Sequence, residues 1–465
     1  MHGDGVHATA HGGLLPADPC FWQLAVAEDA ERMREIFRAH LEPAPGRSCR
    51  VLECRPFRFR CRQSTSRCVL QYTLRLEDPG TGRQWDQWVT GLLYEKPGEA
   101  ARLWREFSAD SPAPEVPEPW NALEPVYFIR ELDMVVEVFP FDRRLPQLGQ
   151  VLGGGLRELE ARLLARLGPG QWSAGPATFE PSRYRTEMGA VFRYALEARD
   201  AMTGRRENVR CYVKVYRNER GAETFERLRT WTREARREYD LVRPVGYWSE
   251  LRTLVLEEAP GTPLSELLRQ DGNPGSAMRA AARAAAAFNQ DDLGDLPPHS
   301  LPDHWDQLER AAKLVQWACP ELRDGVRAVT KAVVSGLGEV PPGPIHGDLK
   351  PDHVFLHGDR VVFVDLDSVM SGDPVRDPAH FCSYLLGRVG LETLPMPHVR
   401  SLASEFADSY FSHVPRDWRA RFPLHCAGAL IEVASGIFRH QRPQWRERAT
   451  MAVQEARHVL SGGLR

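Results

Sequence analysis

Apolar positions interleave with polar ones over Val69–Leu76 and again over Val191–Ala198, and the composition is that of strands. Thr81-Gly82 and Thr203-Gly204 follow them as hairpin turns. The period lengthens to that of a helix over Ala100–Phe107 and Ala222–Ala235. Short apolar runs at Met134–Phe139 and Thr253–Leu256 read as buried strands. Charged helix-like segments, Glu28–Leu41 and Leu156–Leu167, precede each set. Ser111–Trp120 and Leu167–Pro176 read as loops. Beyond Pro263 the pattern is mostly helical: Ala277–Phe288, Trp305–Ala318, Leu322–Leu337, Asp377–Leu386, Val399–Phe411, Leu424–Phe438 and Pro443–Leu460.

The two sets are copies. Tyr72–Arg83 aligns without gaps on Tyr194–Arg205 with six identities in twelve positions, and the register continues to Tyr94 and Tyr216. Leu132–Leu148 aligns on Leu251–Leu267, with Val136 over Val255 and Leu145 over Leu264. Two windows in the same order argue for a duplication. The expected organisation is a flexible start (1–24), a degenerate copy of a small lobe (25–150), a complete small lobe (151–262) and a helical lobe (263–465).

Composition narrows the function classes. With 42% hydrophobic and 26% charged residues the chain is globular, and a net charge of −3 argues against nucleic acid or an anionic membrane as main partner. No run of 18 apolar residues occurs, and Met1–Ala10 lacks the regions of a signal peptide, so a cytoplasmic protein is expected. The nine cysteines include a cluster at Cys49, Cys54, Cys61 and Cys68 without a Cys-x-x-Cys, which reads as reduced thiols rather than a zinc site.

The chemistry concentrates in His346-Gly347-Asp348, followed by Lys350, His353 and the strand-like run Val361–Leu366 ending at Asp367. Pro342, Gly343 and Pro344 make the first part a loop, and Val354–Leu356 with Arg360–Asp365 reads as a hairpin. A hairpin brings Asp348 and Asp365 to one sheet end. One carboxylate can take a proton from a hydroxyl while the other holds a divalent metal, the equipment for moving a phosphoryl group to an alcohol.

This stretch resembles the catalytic and metal-binding loops of the aminoglycoside phosphotransferase and choline kinase superfamily. The resemblance covers roughly 180–460 and extends to Gly372-Asp373-Pro374 and Asp377. It implies an α+β, bilobal, protein-kinase-like fold, an antiparallel-sheet lobe and a mostly helical lobe, here preceded by the degenerate copy. It implies an ATP- and Mg²⁺-dependent kinase of a small-molecule hydroxyl. Asp348, in a motif with His346, would be catalytic, Asp365 would bind the metal, and Asp377 would brace the loop. Asp367 and His353 are further metal candidates. His353 stands where the family usually has Asn, and Mg²⁺ prefers oxygen. His353 therefore either lines the nucleotide site usefully or marks weakened catalysis.

Lys214, in the apolar strand Cys211–Tyr216, is the candidate for the nucleotide phosphates, with Glu223 or Glu226 as its partner. Gly189 is the single glycine of a weak phosphate loop, and the backbone near Glu258, Ala259 and Pro260 is the candidate adenine contact. In copy one Leu92 occupies the place of Lys214, so that copy cannot build the same site. It could shield the cleft, bind the acceptor or mediate oligomerisation. The acidic run Asp291, Asp292, Asp295, Asp303, Asp306 and Glu309 is either a solvated face or a guide for a cationic acceptor. The competing function is a pseudokinase-like binding protein without phosphotransfer.

Overall fold

The computed structural model describes residues 15, 18–61, 66–110, 116–234, 236–270 and 274–463. The expectations for Met1–Ala10, for the first half of the 111–120 loop and for Ala235 lie outside the described residues.

Strands β1 (Arg50–Arg60), β2 (Arg67–Glu77), β3 (Gln84–Tyr94), β4 (Val126–Ile129) and β5 (Met134–Val138) form a first sheet in the order β1-β2-β3-β5-β4. Strands β6 (Trp172–Arg185), β7 (Gly189–Asp200) and β8 (Arg206–Tyr216) begin a second. After β9 (Tyr239–Leu241), which joins another sheet, β10 (Pro244–Trp248) and β11 (Thr253–Glu257) complete it as β6-β7-β8-β11-β10. The two orders are identical, and each sheet takes a helix after its third strand, Glu99–Asp110 and Arg220–Trp231.

The duplication extends to single rungs. Leu92 on β3 faces Val135 on β5, and Lys214 on β8 faces Leu254 on β11. These are the pairs that the two alignments superpose. The turns match as well: Asp78 accepts from Gly80 N (2.9 Å) and Thr81 Oγ1 (2.7 Å), and Asp200 from Met202 N (3.1 Å) and Thr203 Oγ1 (2.5 Å). An aspartate closing its own turn explains why Asp-x-x-Thr-Gly is kept in both copies.

Three sequence boundaries move. Phe21 and Leu24 are 0% and 1% exposed, so folded chain already lies inside the expected flexible start. Phe139, Leu145 and Leu148 pack in the core of the second sheet, so the division between copies falls near 139 rather than 150. The expected loop 167–176 ends early, because β6 starts at Trp172. Proline is admitted there because β6 is an edge strand, and register shifts lie next to Pro176 and Pro181.

The copies are glued by aromatic rings. Trp88 stacks on Tyr184 at 5.9 Å, and Phe139 meets Trp88 at 5.3 Å and Tyr184 at 4.9 Å. Each such pair adds about 0.5–1.5 kcal/mol beyond burial. The apolar core of the first sheet also runs without a break into that of the helical lobe.

The helical lobe carries a small β element. Strands β12 (Thr262–Pro263), β13 (Gly343–Ile345), β14 (Val354–His357), β15 (Arg360–Phe363) and β16 (Met370–Gly372) hold the signature loop; β14 and β15 are the expected hairpin, and β9 joins β15. The connector between lobes ends at Gly261, with φ +94°. A Cβ there would stand 2.1 Å from Leu356 O, so only glycine lets β12 approach β14.

Candidate active site

The loop from His346 to His353 is held from below. Asp377, at the start of helix Arg376–Leu386, accepts from His346 N (2.7 Å), Gly347 N (3.0 Å) and Asn289 Nδ2 (2.8 Å). Gly347 has φ +77°, and a Cβ would meet Ser368 O at 2.4 Å, so the tight turn before Asp348 requires glycine. His346 is buried. Its Nε2 is 2.9 Å from Val364 O, and its Nδ1 receives Asp348 N–H at 3.4 Å. Both ring nitrogens are thus committed to backbone, which makes His346 a tie between loop and hairpin. It does not line the cleft, contrary to its expected catalytic place.

Asp348 and Asp365 do converge. One ligand atom from each of Asp348, His353 and Asp365 lies within 4.8 Å of the others, at the floor of a cavity of 550 Å³ between the lobes. Burial alone would raise the Asp348 carboxyl, but the Lys350 ammonium at 2.8 Å, then His353 and His380, hold it at about 2. Burial is likewise outweighed at Asp365, where Lys214 and His353 hold the carboxyl well below its ordinary range. Asp365 adopts φ +60°, a left-handed conformation that costs a non-glycine residue about 1 kcal/mol or more.

His353 is oriented by its own loop. Its Nδ1 donates to Asp348 O at 2.9 Å, which leaves Nε2 as the acceptor, 3.3 Å from Asp365 Oδ2. Burial and the Lys350 charge push its pKa down to about 3, so the ring is neutral. Two lone-pair atoms face one another across that gap, an arrangement that suits a cation between them.

Lys214 Nζ donates to Asp365 Oδ1 and Asp367 Oδ2, both at 2.6 Å, and Tyr216 Oη donates to Asp367 Oδ1 at 2.8 Å. Burial would lower the ammonium, but Asp367 and Asp365 raise it well above its ordinary value. Neither Glu223 nor Glu226 is its partner. They are 62% and 59% exposed and pair with Arg227 and Arg229 on their own helix. The residue of that helix that reaches the site is Arg220, which donates to Asp367 O at 2.7 Å.

Of the expected adenine contacts only Ala259 faces the cavity. Glu258 turns toward Arg193 and Arg210, and its N–H goes to Arg210 O. Gly189 lines the cavity at the end of a tight turn that the first copy and the segment just after it clamp together. Glu187 N–H donates to Asp142 Oδ2 at 2.6 Å, its carboxylate is held by Arg67 and Arg143, and Thr186 Oγ1 bonds Thr90 Oγ1 at 2.6 Å. Sequence reasoning passed over Asp142 and Glu187 and named Lys350 in the signature loop without giving it a role. Only Lys350 carried a signal, as one of five lysines in an arginine-rich chain.

The acidic run is spent locally. Asp291 pairs with Arg236, Asp303 caps helix Leu301–Ala318, and Glu309 pairs with Lys313. All nine cysteines are free thiols. No helix among the described residues is long and apolar enough to cross a membrane.

Comparison with known proteins gives likenesses at low identity. A choline/ethanolamine kinase family protein from Mesorhizobium loti is 14% identical, covering 65% of this chain and 94% of its own, with a TM-score of 0.42. A macrolide 2'-phosphotransferase from Brachybacterium faecium is 16% identical, covering 63% and 98%, with a TM-score of 0.41. An amicoumacin kinase in complex with AMP-PNP and Ca²⁺ is 14% identical, covering 66% and 96%, also at 0.41. No curated protein matches the chain. The family model described as "Phosphotransferase enzyme family" matches residues 201–422, the span from β8 through the signature loop to the start of helix Phe422–His440. Over that span the chain is similar to the phosphotransferase enzyme family, and the span takes in strands of the second sheet and most of the helical lobe.

Proposed function

We propose that the protein transfers the terminal phosphoryl group of ATP to a hydroxyl of a small molecule, with Asp348 as the catalytic base. The observation that carries this reading is the convergence of Asp348, His353 and Asp365 within 4.8 Å, beside a buried lysine ion-paired to Asp365.

Asp348 stays ionised at any physiological pH. It orients the acceptor hydroxyl and takes its proton late, as the bond to phosphorus forms. Lys350 keeps that carboxylate charged and fixes its direction. Lys214 is placed to neutralise phosphate charge, and Asp367 with Tyr216 steers its ammonium. Asp365, His353 and Asp348 would hold a divalent cation, and the donor set fits one. When bound, the cation supplies charge neutralisation on the phosphate oxygens. One imidazole nitrogen with two carboxylates suits Mn²⁺ at least as well as Mg²⁺. The amicoumacin kinase supports the pairing of nucleotide and divalent cation, since it is described in complex with AMP-PNP and Ca²⁺.

The test is acceptor-dependent release of ADP by Asp348→Asn. Turnover should fall at least 100-fold while the melting-temperature rise with nucleotide and metal persists. Undiminished turnover removes Asp348 from the mechanism.

A further inference from the structure

Four arginines from three parts of the fold meet beside Asp348 without a carboxylate to match them. Arg183 and Arg185, two positions apart on β6, line the cavity together with Asp348 and Asp352. Arg58 reaches in from β1 of the first copy. It is 7% exposed, its Nη1 lies 3.2 Å from His440 Nε2, and its Nε is buried with no acceptor. The Nε of Arg185 is buried without an acceptor too. Arg439, on helix Phe422–His440, gives its donors only to Ser435. Among the described residues no carboxylate comes within 4.0 Å of any of the four.

The acids nearby are already engaged. Glu187 belongs to Arg67 and Arg143 and Asp348 is bonded to Lys350, while Glu432 accepts from Gln307 through Oε2 and its charge offsets part of that of Arg439. Burial first, then the charges of Arg185, Arg183, Arg439 and Arg60, push the Arg58 guanidinium down to about 8. A guanidinium keeps its proton in proteins, so these like charges stand against one another, with Arg58 buried, Arg185 and Arg439 half-buried and Arg183 at the exposed rim. Uncompensated, buried charge of one sign is costly, and planar N–H forks match an oxyanion.

We propose that this end of the cleft is the acceptor site and that it takes an anionic alcohol, one bearing a phosphate or carboxylate a few bonds from the hydroxyl presented to Asp348. The proposal rests on the phosphotransferase reading above. A choline-like or polyamine acceptor would be repelled there. The acids that would suit a cation, Asp303 and Asp306, line a neighbouring cavity of 840 Å³ that meets the cleft at Asn218, Arg220 and Asp367 but is not lined by Asp348. An oxyanion could also come from the nucleotide's own triphosphate, so the test keeps the two sources apart.

Inorganic sulfate is titrated calorimetrically into the whole protein saturated with a non-hydrolysable ATP analogue and Mn²⁺, and into the protein alone. Sulfate should bind in both states. Arg58→Gln/Arg185→Gln should weaken it at least tenfold, and Arg185→Lys, which keeps the charge, should retain most of it. Sulfate binding that vanishes when the analogue is present assigns the arginines to the triphosphate and overturns the proposal. So does binding equal in wild type and double variant. Cooperative melting of the double variant shows that the loss is not unfolding. A parallel panel reads acceptor-dependent ADP release with glycerol 3-phosphate, glucose 6-phosphate and gluconate against glycerol, glucose, choline and kanamycin. Turnover confined to neutral or cationic members overturns the proposal as well. If the analogue itself fails to bind, the phosphotransferase reading falls, and the sulfate titration of the protein alone still decides the anion site.

Discussion

Asp142→Ala separates a scaffold from a working part. Asp142 is 1% exposed and accepts from Glu187 N at 2.6 Å, Tyr184 Oη at 2.9 Å and Arg144 N at 2.8 Å. Truncation strands two buried donors, the Glu187 amide and the Tyr184 hydroxyl. At about 1–3 kcal/mol for each unsatisfied group, stability should fall by about 2–6 kcal/mol. The second consequence is local. Glu187 and Met188 form the turn over the cleft, and without the anchor nucleotide binding must order them again. At about 1 kcal/mol or more of backbone entropy per residue, two residues cost at least about 2 kcal/mol, or roughly 30-fold in affinity. Urea unfolding reads the first effect, and titration calorimetry with an ATP analogue and Mn²⁺ reads the second. If stability drops as expected while analogue affinity changes less than threefold, the Asp142 anchor holds the fold together but does not present the turn to nucleotide.

Three further outcomes are expected. His353→Asn should shift the metal preference for analogue binding from Mn²⁺ toward Mg²⁺, since an amide oxygen replaces an imidazole nitrogen; an unchanged ratio of the two affinities would remove His353 from the ligand set. Leu92→Ala, a fully buried position, should cost about 2–5 kcal/mol in urea unfolding and leave turnover intact, whereas Lys214→Ala should collapse turnover, so equal effects would contradict the division between copies. The buried histidines should make the protein acid-labile. Burial, then Lys350 at His353 and Arg376 at His304, hold their folded pKa values at about 3 and well below 6.5 respectively. The unfolded chain therefore binds more protons below pH 6.5, and stability falls with falling pH by up to about 1.4 kcal/mol per unit for each histidine. Urea midpoints should drop from pH 7 to 5, and less so in His304→Phe; a flat profile there would refute the assignment.

Much of this molecule could be read from residue types alone. The repeat was legible because turn closure by Asp78 and Asp200 leaves a local signature, and the alignment even matched the rung that pairs Leu92 with Val135. The closeness of Asp348 and Asp365 was legible because loop, strand and acids follow each other closely. What escaped was contact between distant segments. Lys214 was expected to pair with the next helix, yet its acids lie about 150 residues on, since Glu223 and Glu226 face solvent. The role of His346 was misread because a motif gives identity without the direction of a ring. Arg58, Asp142 and Glu187 carry no local pattern, and only the docking of one copy on the other gives them work.

Arg58 and Arg60 sit two positions apart on β1 and reach different jaws. Arg58 touches His440 of the helical lobe, and Arg60 donates to Thr186 O of the second sheet at 2.8 Å. A two-jawed protein joined only by the connector at Glu257–Gly261 can yawn about it. Here a third body is fastened to both sides of the mouth, so the gape is limited by the reach of arginine side chains.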